Sequence, residues 1–400
     1  MPLFGVFPST AQLYLVDGGP PAVGSLHRNP DLAATYRLIA EQGIEAFYAG
    51  PIGEDLVAAV QQPVAVADLE FPMVGQNMTM DDLAAYRALV RPATRMTYRG
   101  HDVYGMGPPS SGGLTVGLAL GILQHFGLAG LPEDELLHLY LEATRVAFAD
   151  RGAFMADADF VDVPVTGLQA PGFAAQRAEL VGARRSNAVA PGDPFAFQAE
   201  GEAPPLAPAS STSEGENTTH MTVADQWDNV VAYTITIEAP GGNGMVVPGR
   251  GFLLNNELTD FDPFPGTVNS VQPGMRPRSS MSPTLVLKDG RPLMALGSPG
   301  GSTIISTVLQ TLVNVLDLGM SAEEAVEAPR ASYLGIPEVL FERSFARSVV
   351  SQLADLGHQM VPVPELGFVT MIVFNEDGSM TAVAEAQRGG GGSARVVRED

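Results

Sequence analysis

The sequence predicts an α+β protein whose sheet is mostly antiparallel, and three observations support this fold class. Helix-like periodicity fills much of the first half of the chain, alternating strand-like segments follow, and helical patterns return near the end. Two-residue turn signals such as Asp289-Gly290 join neighbouring strand segments, which favours antiparallel pairing. Segments in this order are typical of layered α+β folds.

Composition indicates a globular protein and argues against several functions. The chain has 400 residues, of which 45% are apolar, enough for a large buried core. Its net charge of −23 argues against nucleic-acid and anionic-membrane partners, because both need clustered positive charge. No apolar run approaches the ~18 residues that span a membrane. The absence of cysteine excludes disulfides, thiolate nucleophiles and cysteine-bound metals.

Hydrophobic periodicity and capping residues define the predicted helices. Asn29 can cap the first of them, and Gly43 can end it. Thr79 and Asp82 have the spacing of a capping box, which predicts a second helix start. Helices are predicted over 29–50, 79–90, 114–126, 133–151, 298–319 and 321–328.

Alternating apolar residues and short turns define the predicted strands. Hairpin turns are predicted near Gly100, at Asp289-Gly290 and at Asp377-Gly378. Strands or hairpins are predicted over 95–106, 220–225, 229–238, 249–257, 283–297 and 368–386.

A change in composition near residue 183 divides the chain into three regions. Residues 183–217 are rich in Pro, Ala, Ser, Gly and Glu and show little periodicity, so we expect a flexible linker there. Residues 1–182 precede this linker, and the β-rich residues 218–400 follow it.

The linker ends at Asn217, directly before Thr218, and this position suggests a chemical role. A threonine hydroxyl is a weak nucleophile and needs a base, but no GxSxG or Ser/His/Asp pattern is present. The α-amine of a chain-terminal threonine can be that base, because its pKa of ~7.7–8.0 suits proton transfer at neutral pH. Cleavage after Asn217 would create that amine, and a mobile linker would let the new end enter the site.

Several motifs in the chain, taken together, resemble those of the gamma-glutamyltransferases, which are N-terminal-nucleophile hydrolases. The motifs are NTTHMTVAD, NNELTDF, RPRSSMSPT, GSPGG, PPSSGG and the VAFADR helix end, and the resemblance runs from about Phe7 to the C-terminus. One such motif is weak evidence, but their shared order and spacing are highly specific.

The resemblance implies a fold and an organisation of subunits. The implied fold is the four-layer αββα sandwich of the N-terminal-nucleophile hydrolase type. Residues 1–182 would be the C-terminal part of the large subunit, 183–217 the pre-cleavage linker, and 218–400 the catalytic small subunit. The family's earlier large-subunit stretch would be missing, and with it the arginine that pairs with the substrate α-carboxylate.

The resemblance also assigns the catalytic residues. Self-cleavage would occur between Asn217 and Thr218, and Thr218 would then form the acyl-enzyme. Thr236 matches a threonine that hydrogen-bonds the nucleophile. Gly300 and Gly301 match the oxyanion-hole pair, and backbone N–H groups at a helix start suit that role. A phosphate site or a plain strand-to-helix turn is the alternative for the two glycines.

A second group of residues would hold the substrate. Ser279 and Ser280 match a pair that contacts the α-carboxylate, and Glu257 and Asp260 match residues that hold the α-ammonium. Glu238 stands where many members of the family have asparagine, so three acids would surround one pocket. Crowded carboxylates raise one another's pKa. Without the resemblance, all five would be ordinary turn, loop or strand residues.

The activity implied is a γ-glutamyl hydrolase/transferase of the glutathione type. Its partners would be a small γ-glutamyl donor, water or an amino acid or peptide as acceptor, and the two subunits of one precursor. No metal or organic cofactor is needed, and His220 would only position the cleavage segment. The loop 262–275 is short for a lid, so an open pocket favouring hydrolysis is expected.

Two other interpretations are kept open. One is an acylase for another γ-linked acyl group, such as a β-lactam side chain or poly-γ-glutamate, favoured by Glu238 and the short loop. The other is an incomplete, non-catalytic half that needs a partner chain. Localisation is expected to be periplasmic or extracellular by resemblance, or cytoplasmic if the missing N-terminal stretch carried no signal. The start of the sequence has no basic n-region, so no signal peptide is predicted there.

Overall fold

A computed structural model describes residues 2–66, 69, 72–186, 188–198, 218–388 and 392–397. The chain divides into two compact units. The smaller unit comprises Met1–Val90 and Ile237–Asn256, and the larger comprises Arg91–Thr236 and Glu257–Asp400. No helix in the described ranges is long and apolar enough to cross a membrane.

The smaller unit is helical and forms its own core. A 3-10 helix, Pro2–Gly5, is followed by α1 (Pro8–Tyr14), α2 (Pro30–Gln42), α3 (Glu45–Tyr48), α4 (Pro51–Gln61) and α5 (Met80–Ala85). Residues from both of its chain segments share the core, which contains Phe7, Leu56, Val57, Val60, Leu83, Met245, Val247 and Leu254.

The helix starts of the smaller unit confirm the capping predictions. The Asn29 side chain accepts a hydrogen bond from the Leu32 N–H (2.9 Å), and Gly43 closes α2 at φ 75°. Asp82 accepts hydrogen bonds from the Thr79 N–H and hydroxyl at 2.7 and 2.9 Å. These contacts leave fewer donors unsatisfied in the first turns of α2 and α5.

The strand predicted over 249–257 is wrong. The segment is irregular, with one isolated bridge between Val246 and Leu253. Gly249 and Gly251 have φ of 71° and 72°, which reverses the chain locally. A Cβ at Gly251 would lie 2.3 Å from Asn29 Oδ1, so a tertiary contact requires glycine and prevents a regular strand.

The larger unit contains the remaining regular elements. Its helices are α6 (Gly112–Leu123), α7 (Glu133–Phe154), α8 (Val165–Leu168), α9 (Pro171–Ala178), α10 (Thr303–Leu316), α11 (Ala322–Glu327) and α12 (Arg347–Asp355), with 3-10 helices Pro194–Phe197 and Glu257–Asp260. Its strands are β1 (Thr94–Tyr98), β2 (His101–Gly105), β3 (Thr218–Ala224), β4 (Val230–Thr236), β5 (Thr284–Lys288), β6 (Arg291–Gly297), β7 (Ala331–Tyr333), β8 (Glu338–Glu342), β9 (Gln359–Val363), β10 (Thr370–Phe374) and β11 (Met380–Ala384).

Three sheets organise these strands. A six-stranded sheet has the order β1-β2-β5-β6-β10-β11, and all its pairs are antiparallel. β3 and β4 form a two-stranded antiparallel sheet, and β7, β8 and β9 form a third sheet. The predicted hairpin turns are confirmed: Arg99 and Gly100, like Asp289 and Gly290, have positive φ between their strands.

The larger unit by itself supplies three layers of a sandwich. Met294 and Leu296 of β6 join α6, α7 and α10 in the main core. Residues of a strand alternate between faces, so Ala295 and Gly297 point the other way. His220 of β3 packs there, because a Cβ at Gly297 would lie 2.3 Å from its ring. Helices, the six-stranded sheet and the β3–β4 sheet therefore lie in that order.

The β3–β4 sheet has an unusual distribution of polarity. Its inner face carries threonines and His220, while five of the side chains on its outer face are apolar and 46–55% exposed. This outer apolar face consists of Met221, Val223, Val231, Tyr233 and Ile235. Contiguous apolar surface of this kind is uncommon on soluble monomers.

A buried ion network joins distant parts of the larger unit. Arg388 donates two hydrogen bonds of 2.6 Å to the Glu342 carboxylate and one of 2.7 Å to Glu385. Arg330 also bonds to Glu385, at 2.9 Å. All four side chains are buried, so each charge depends on its partners for solvation.

Candidate active site

Thr218 is the first residue of β3, and its side chain meets Thr236 of β4. The two residues are directly opposed in the antiparallel register, and the Thr218 hydroxyl donates to Thr236 Oγ1 at 3.1 Å. Both side chains are half-buried on the inner face of the sheet. The structure therefore brings together the predicted nucleophile and the threonine predicted to bond to it. Asn217 lies outside the described residues.

His220 shares the inner face of β3 with Thr218 but is fully engaged elsewhere. Its Nδ1 lies 2.7 Å from Thr234 Oγ1, and its Nε2 lies 3.0 Å from Thr222 Oγ1. Burial lowers the pKa of His220 to about 4, so the ring is neutral at pH 7. A neutral ring with both nitrogens occupied suits a positioning role.

Gly300 and Gly301 lie in the turn that joins β6 to α10. Their φ angles are 135° and 55°, which L side chains rarely adopt. A Cβ at Gly300 would lie 2.6 Å from Thr303 Oγ1 and 3.2 Å from Gly367 Cα. The pair directly precedes the N-terminus of α10, where the helix dipole favours negative charge.

Ser279 and Ser280 lie in an extended segment that pairs with the loop before α6. The Ser111 N–H and hydroxyl both donate to the Ser279 carbonyl, each at 2.8 Å, and the Ser110 hydroxyl donates to Met281 O at 2.6 Å. Ser280 is buried and Ser279 is half-buried. The PPSSGG and RPRSSMSPT motifs, distant in sequence, therefore contact each other directly.

Arg151, near the end of α7, bonds to both of these motifs, and no role is predicted for it from the sequence. Its Nε donates to Ser111 Oγ and its Nη2 to Ser280 Oγ, each at 2.8 Å. The charged Arg151 donor polarises the Ser280 hydroxyl, and the hydrogen of that hydroxyl becomes a better hydrogen-bond donor. The sequence held one signal: Arg151 continues the apolar face of α7 four residues after Ala147.

The predicted acids lie in different units. Glu257 and Asp260 are the first and last residues of the second 3-10 helix of the larger unit; Asp260 is buried and Glu257 is half-buried. Glu238 belongs to the smaller unit, has φ 72°, and is bonded by the side-chain amide of Asn256. The predicted group of three acids around one pocket stays a prediction.

A cavity and a histidine pair of the larger unit include none of the predicted site residues. A cavity of about 710 Å³ is bordered by His138 of α7 and Leu356 after α12. His138 Nδ1 lies 2.9 Å from His358 Nε2, and burial, with the charges of His138 and two arginines, lowers the pKa of His358 to about 3. No group of three or more His, Asp or Glu that could hold a metal occurs among the residues described.

Comparison with known proteins places this geometry in a family. The gamma-glutamyltranspeptidase family model matches residues 1–395. The glutathione hydrolase proenzyme of Bacillus subtilis (strain 168) is 38% identical over 385 residues, which is 94% of this chain and 63% of that protein. The acylase ACY 1 proenzyme of Pseudomonas sp. (strain V22) is 35% identical over 381 residues, again 94% of this chain and 63% of that protein. The chain therefore spans less than two thirds of these relatives.

A solved structure supports the fold. The crystal structure of cephalosporin acylase from Bacillus halodurans matches with a TM-score of 0.81 at 24% identity, covering 94% of this chain and 64% of that one. The α+β sandwich implied by the resemblance is confirmed. The chain belongs to the gamma-glutamyltranspeptidase family.

Proposed function

We propose that this chain is a self-processing γ-glutamyl hydrolase/transferase with Thr218 as its nucleophile. The observation that carries the proposal is the Thr218–Thr236 hydrogen bond of 3.1 Å at the first residue of β3. It holds the hydroxyl on the inner face of the sheet. His220, the nearest histidine along the chain, bonds to two other threonines and is neutral, so it does not compete with an α-amine as base.

The proposed reaction has two stages. Hydrolysis of the Asn217–Thr218 peptide bond first releases the α-amine of Thr218. That amine then takes the hydroxyl proton while Oγ attacks the γ-acyl carbon, and the proton passes to the departing amine. Water hydrolyses the resulting ester, or an amino acid accepts the acyl group. The N–H groups of Gly300 and Gly301 would stabilise the oxyanion of each tetrahedral intermediate.

Recognition of the donor would depend on two sets of side chains in the larger unit. Ser279 and Ser280 would donate to the α-carboxylate, with Arg151 holding the Ser280 hydroxyl. Glu257 and Asp260 would accept hydrogen bonds from the α-ammonium. The pairing of donors with a carboxylate and acids with a cation favours an α-amino acid head group.

The experiment is the intact mass of the 400-residue chain after incubation at neutral pH, with Thr218→Ala as the control. We expect two fragments that meet at Asn217 and Thr218, absent from the control. The cut protein should then release aniline from a γ-glutamyl anilide. A single uncut chain in both samples would contradict the proposal and favour the incomplete half that needs a partner chain.

A related acylase is the second candidate, and Glu238 favours it. This acid replaces an expected asparagine, is buried, and is held by Asn256. The similarity to the acylase ACY 1 proenzyme agrees with this alternative. Faster turnover of a glutaryl amide, which lacks the α-amine, than of the γ-glutamyl anilide would favour it over the main proposal.

A further inference from the structure

Asn269 lies between the two predicted halves of the substrate site. It belongs to the loop 262–275, for which the sequence predicts only a short lid, and its side chain is fully buried. Its Nδ2 donates to the Asp260 carbonyl at 2.8 Å, and its Oδ1 accepts from the Arg278 N–H at 2.9 Å. One amide thus bonds to the residue that would hold the ammonium and to the residue directly before Ser279.

Further contacts with Asp262 and Arg278 stabilise the conformation of the same loop. The Asp262 N–H donates to the Asn269 carbonyl at 3.0 Å, and Asn269 Nδ2 also lies 3.3 Å from Asp262 Oδ1. Arg278 Nη2 lies 3.3 Å from the same Asp262 oxygen, and both side chains of that ion pair are buried. The loop therefore connects the segment that contains Asp260 to the segment that contains Ser279, and the Asn269 amide bonds to both segments.

The chemistry of the amide explains why asparagine stands here. The amide has both N–H donors and a carbonyl acceptor in one plane, so it can accept from one backbone segment and donate to another. An aspartate of the same shape accepts but cannot donate when ionised, and would face the Asp260 carbonyl with negative charge. Serine is too short to reach both segments.

We propose that Asn269 is a positioning residue that sets the spacing between Asp260 and Ser279-Ser280, and so selects donors with an α-amino acid head group. This inference rests on the proposed function. The ammonium and the carboxylate of such a head group are both attached to the same carbon atom. The acids, including Asp260, and the serine pair Ser279-Ser280 must therefore reach these two groups at the same time. A displacement of about 1 Å at a reacting or binding group can cost about 100-fold in rate.

The test compares three anilide donors: γ-glutamyl, 4-aminobutyryl, which lacks the α-carboxylate, and glutaryl, which lacks the α-ammonium. The variants are Asn269→Asp and Asn269→Ser. Ser270→Ala is the matched control, because its hydroxyl bonds to the Thr267 N–H within the same loop (2.9 Å) and to neither predicted substrate segment. Self-cleavage before Thr218 reports folding of each variant independently of the head group.

For Asn269→Asp and Asn269→Ser we expect kcat/KM for the γ-glutamyl donor to fall about 30- to 100-fold, mainly through KM, with self-cleavage retained. Turnover of the two truncated donors should change less than about threefold, so the preference for γ-glutamyl nearly disappears. Ser270→Ala should keep the wild-type preference.

Three outcomes would overturn the inference, and they have different meanings. An equal loss on all three donors would show a general structural role. Loss of self-cleavage in both Asn269 variants but not in Ser270→Ala would show that the amide is needed only for folding. A wild-type chain with no preference for the γ-glutamyl donor would overturn the proposed function, and the inference with it.

Discussion

At the scale of single residues, the candidate site depends on hydroxyl groups whose partners are fixed by strand register. Thr218 and Thr236 are opposed because β3 and β4 pair residue for residue over seven positions, Thr218 with Thr236 through Ala224 with Val230. The next inward pair, His220 and Thr234, also bonds through side chains. Any change that moves the register would therefore disturb both contacts together.

Replacement of Thr236 tests the first contact. Thr236→Val keeps the shape of the side chain but removes the hydroxyl that accepts from Thr218 at 3.1 Å. A neutral hydrogen bond is worth about 1 kcal/mol, so self-cleavage and donor turnover should each slow about fivefold. Thr236→Ser, which keeps the hydroxyl, should stay within about threefold of the wild type. Equal rates in Val and Ser variants, measured by single-turnover kinetics, would contradict the role.

Replacement of His220 tests its buried, neutral state. An unfolded histidine has a pKa of ~6.5, whereas burial lowers the pKa of His220 to about 4 in the folded protein. The unfolded state binds more protons between these pH values, so the free energy of unfolding falls as the pH decreases through this window. The loss corresponds to at most about 3 kcal/mol.

The matched variant is His220→Gln, which cannot titrate. Denaturant unfolding should show wild type more stable than the variant at pH 7.5, with that advantage shrinking by pH 4.5. An advantage that stays constant over this range would mean that His220 is already protonated or exposed in the folded chain.

At the scale of elements, turns were predictable and one strand was not. The turns at Gly100 and Asp289-Gly290 depend on local backbone preferences, so a few residues suffice to predict them. The segment 249–257 looks apolar and extended, but Gly251, one of its two glycines with positive φ, contacts Asn29, about 220 residues earlier. Sequence patterns carry no information about such a partner.

The packing of β3 against β6 gives a prediction at this scale. A Cβ at Gly297 would lie 2.3 Å from the His220 ring, so Gly297→Ala should push the β3–β4 sheet away from the six-stranded sheet. Overpacking of this kind costs about 1–3 kcal/mol. Self-cleavage should slow as well, because Thr218 moves with β3.

The control for Gly297→Ala is Gly127→Ala, where an added Cβ would meet no atom within 4 Å. We expect its free energy of unfolding to change by less than about 0.5 kcal/mol. Similar effects of the two substitutions on thermal unfolding would show that the His220–Gly297 contact is not tight in solution.

At the scale of the whole molecule, the features that sequence reasoning missed depend on contacts between separate motifs or segments. The motifs predict Thr218, Thr236, the glycine pair Gly300-Gly301 and the serine pair because each belongs to a local pattern. Arg151 and Asn269 act through partners 40 to 129 and 9 residues away, respectively, and neither forms a motif by itself. The Arg330–Glu385 contact spans 55 residues for the same reason.

The buried ion network gives a prediction for the stability of the larger unit. Arg388→Ala would leave Glu342 and Glu385 buried with less countercharge, and breaking such a pair costs about 3–5 kcal/mol. Arg395→Ala, at an exposed arginine seven positions later, should change stability by less than about 0.5 kcal/mol. Equal denaturation midpoints for the two variants would contradict the importance of the network.

The outer apolar face of the β3–β4 sheet has a consequence for how this protein is handled. Five apolar side chains, each about half exposed, offer a binding surface for amphiphilic dyes and detergents while the chain is fully folded. Strong fluorescence of anilinonaphthalene sulfonate, usually taken as a sign of a molten globule, would here be a property of the native state. Dye-based melting assays on this chain should therefore start from a high baseline, and circular dichroism is the better measure of its unfolding.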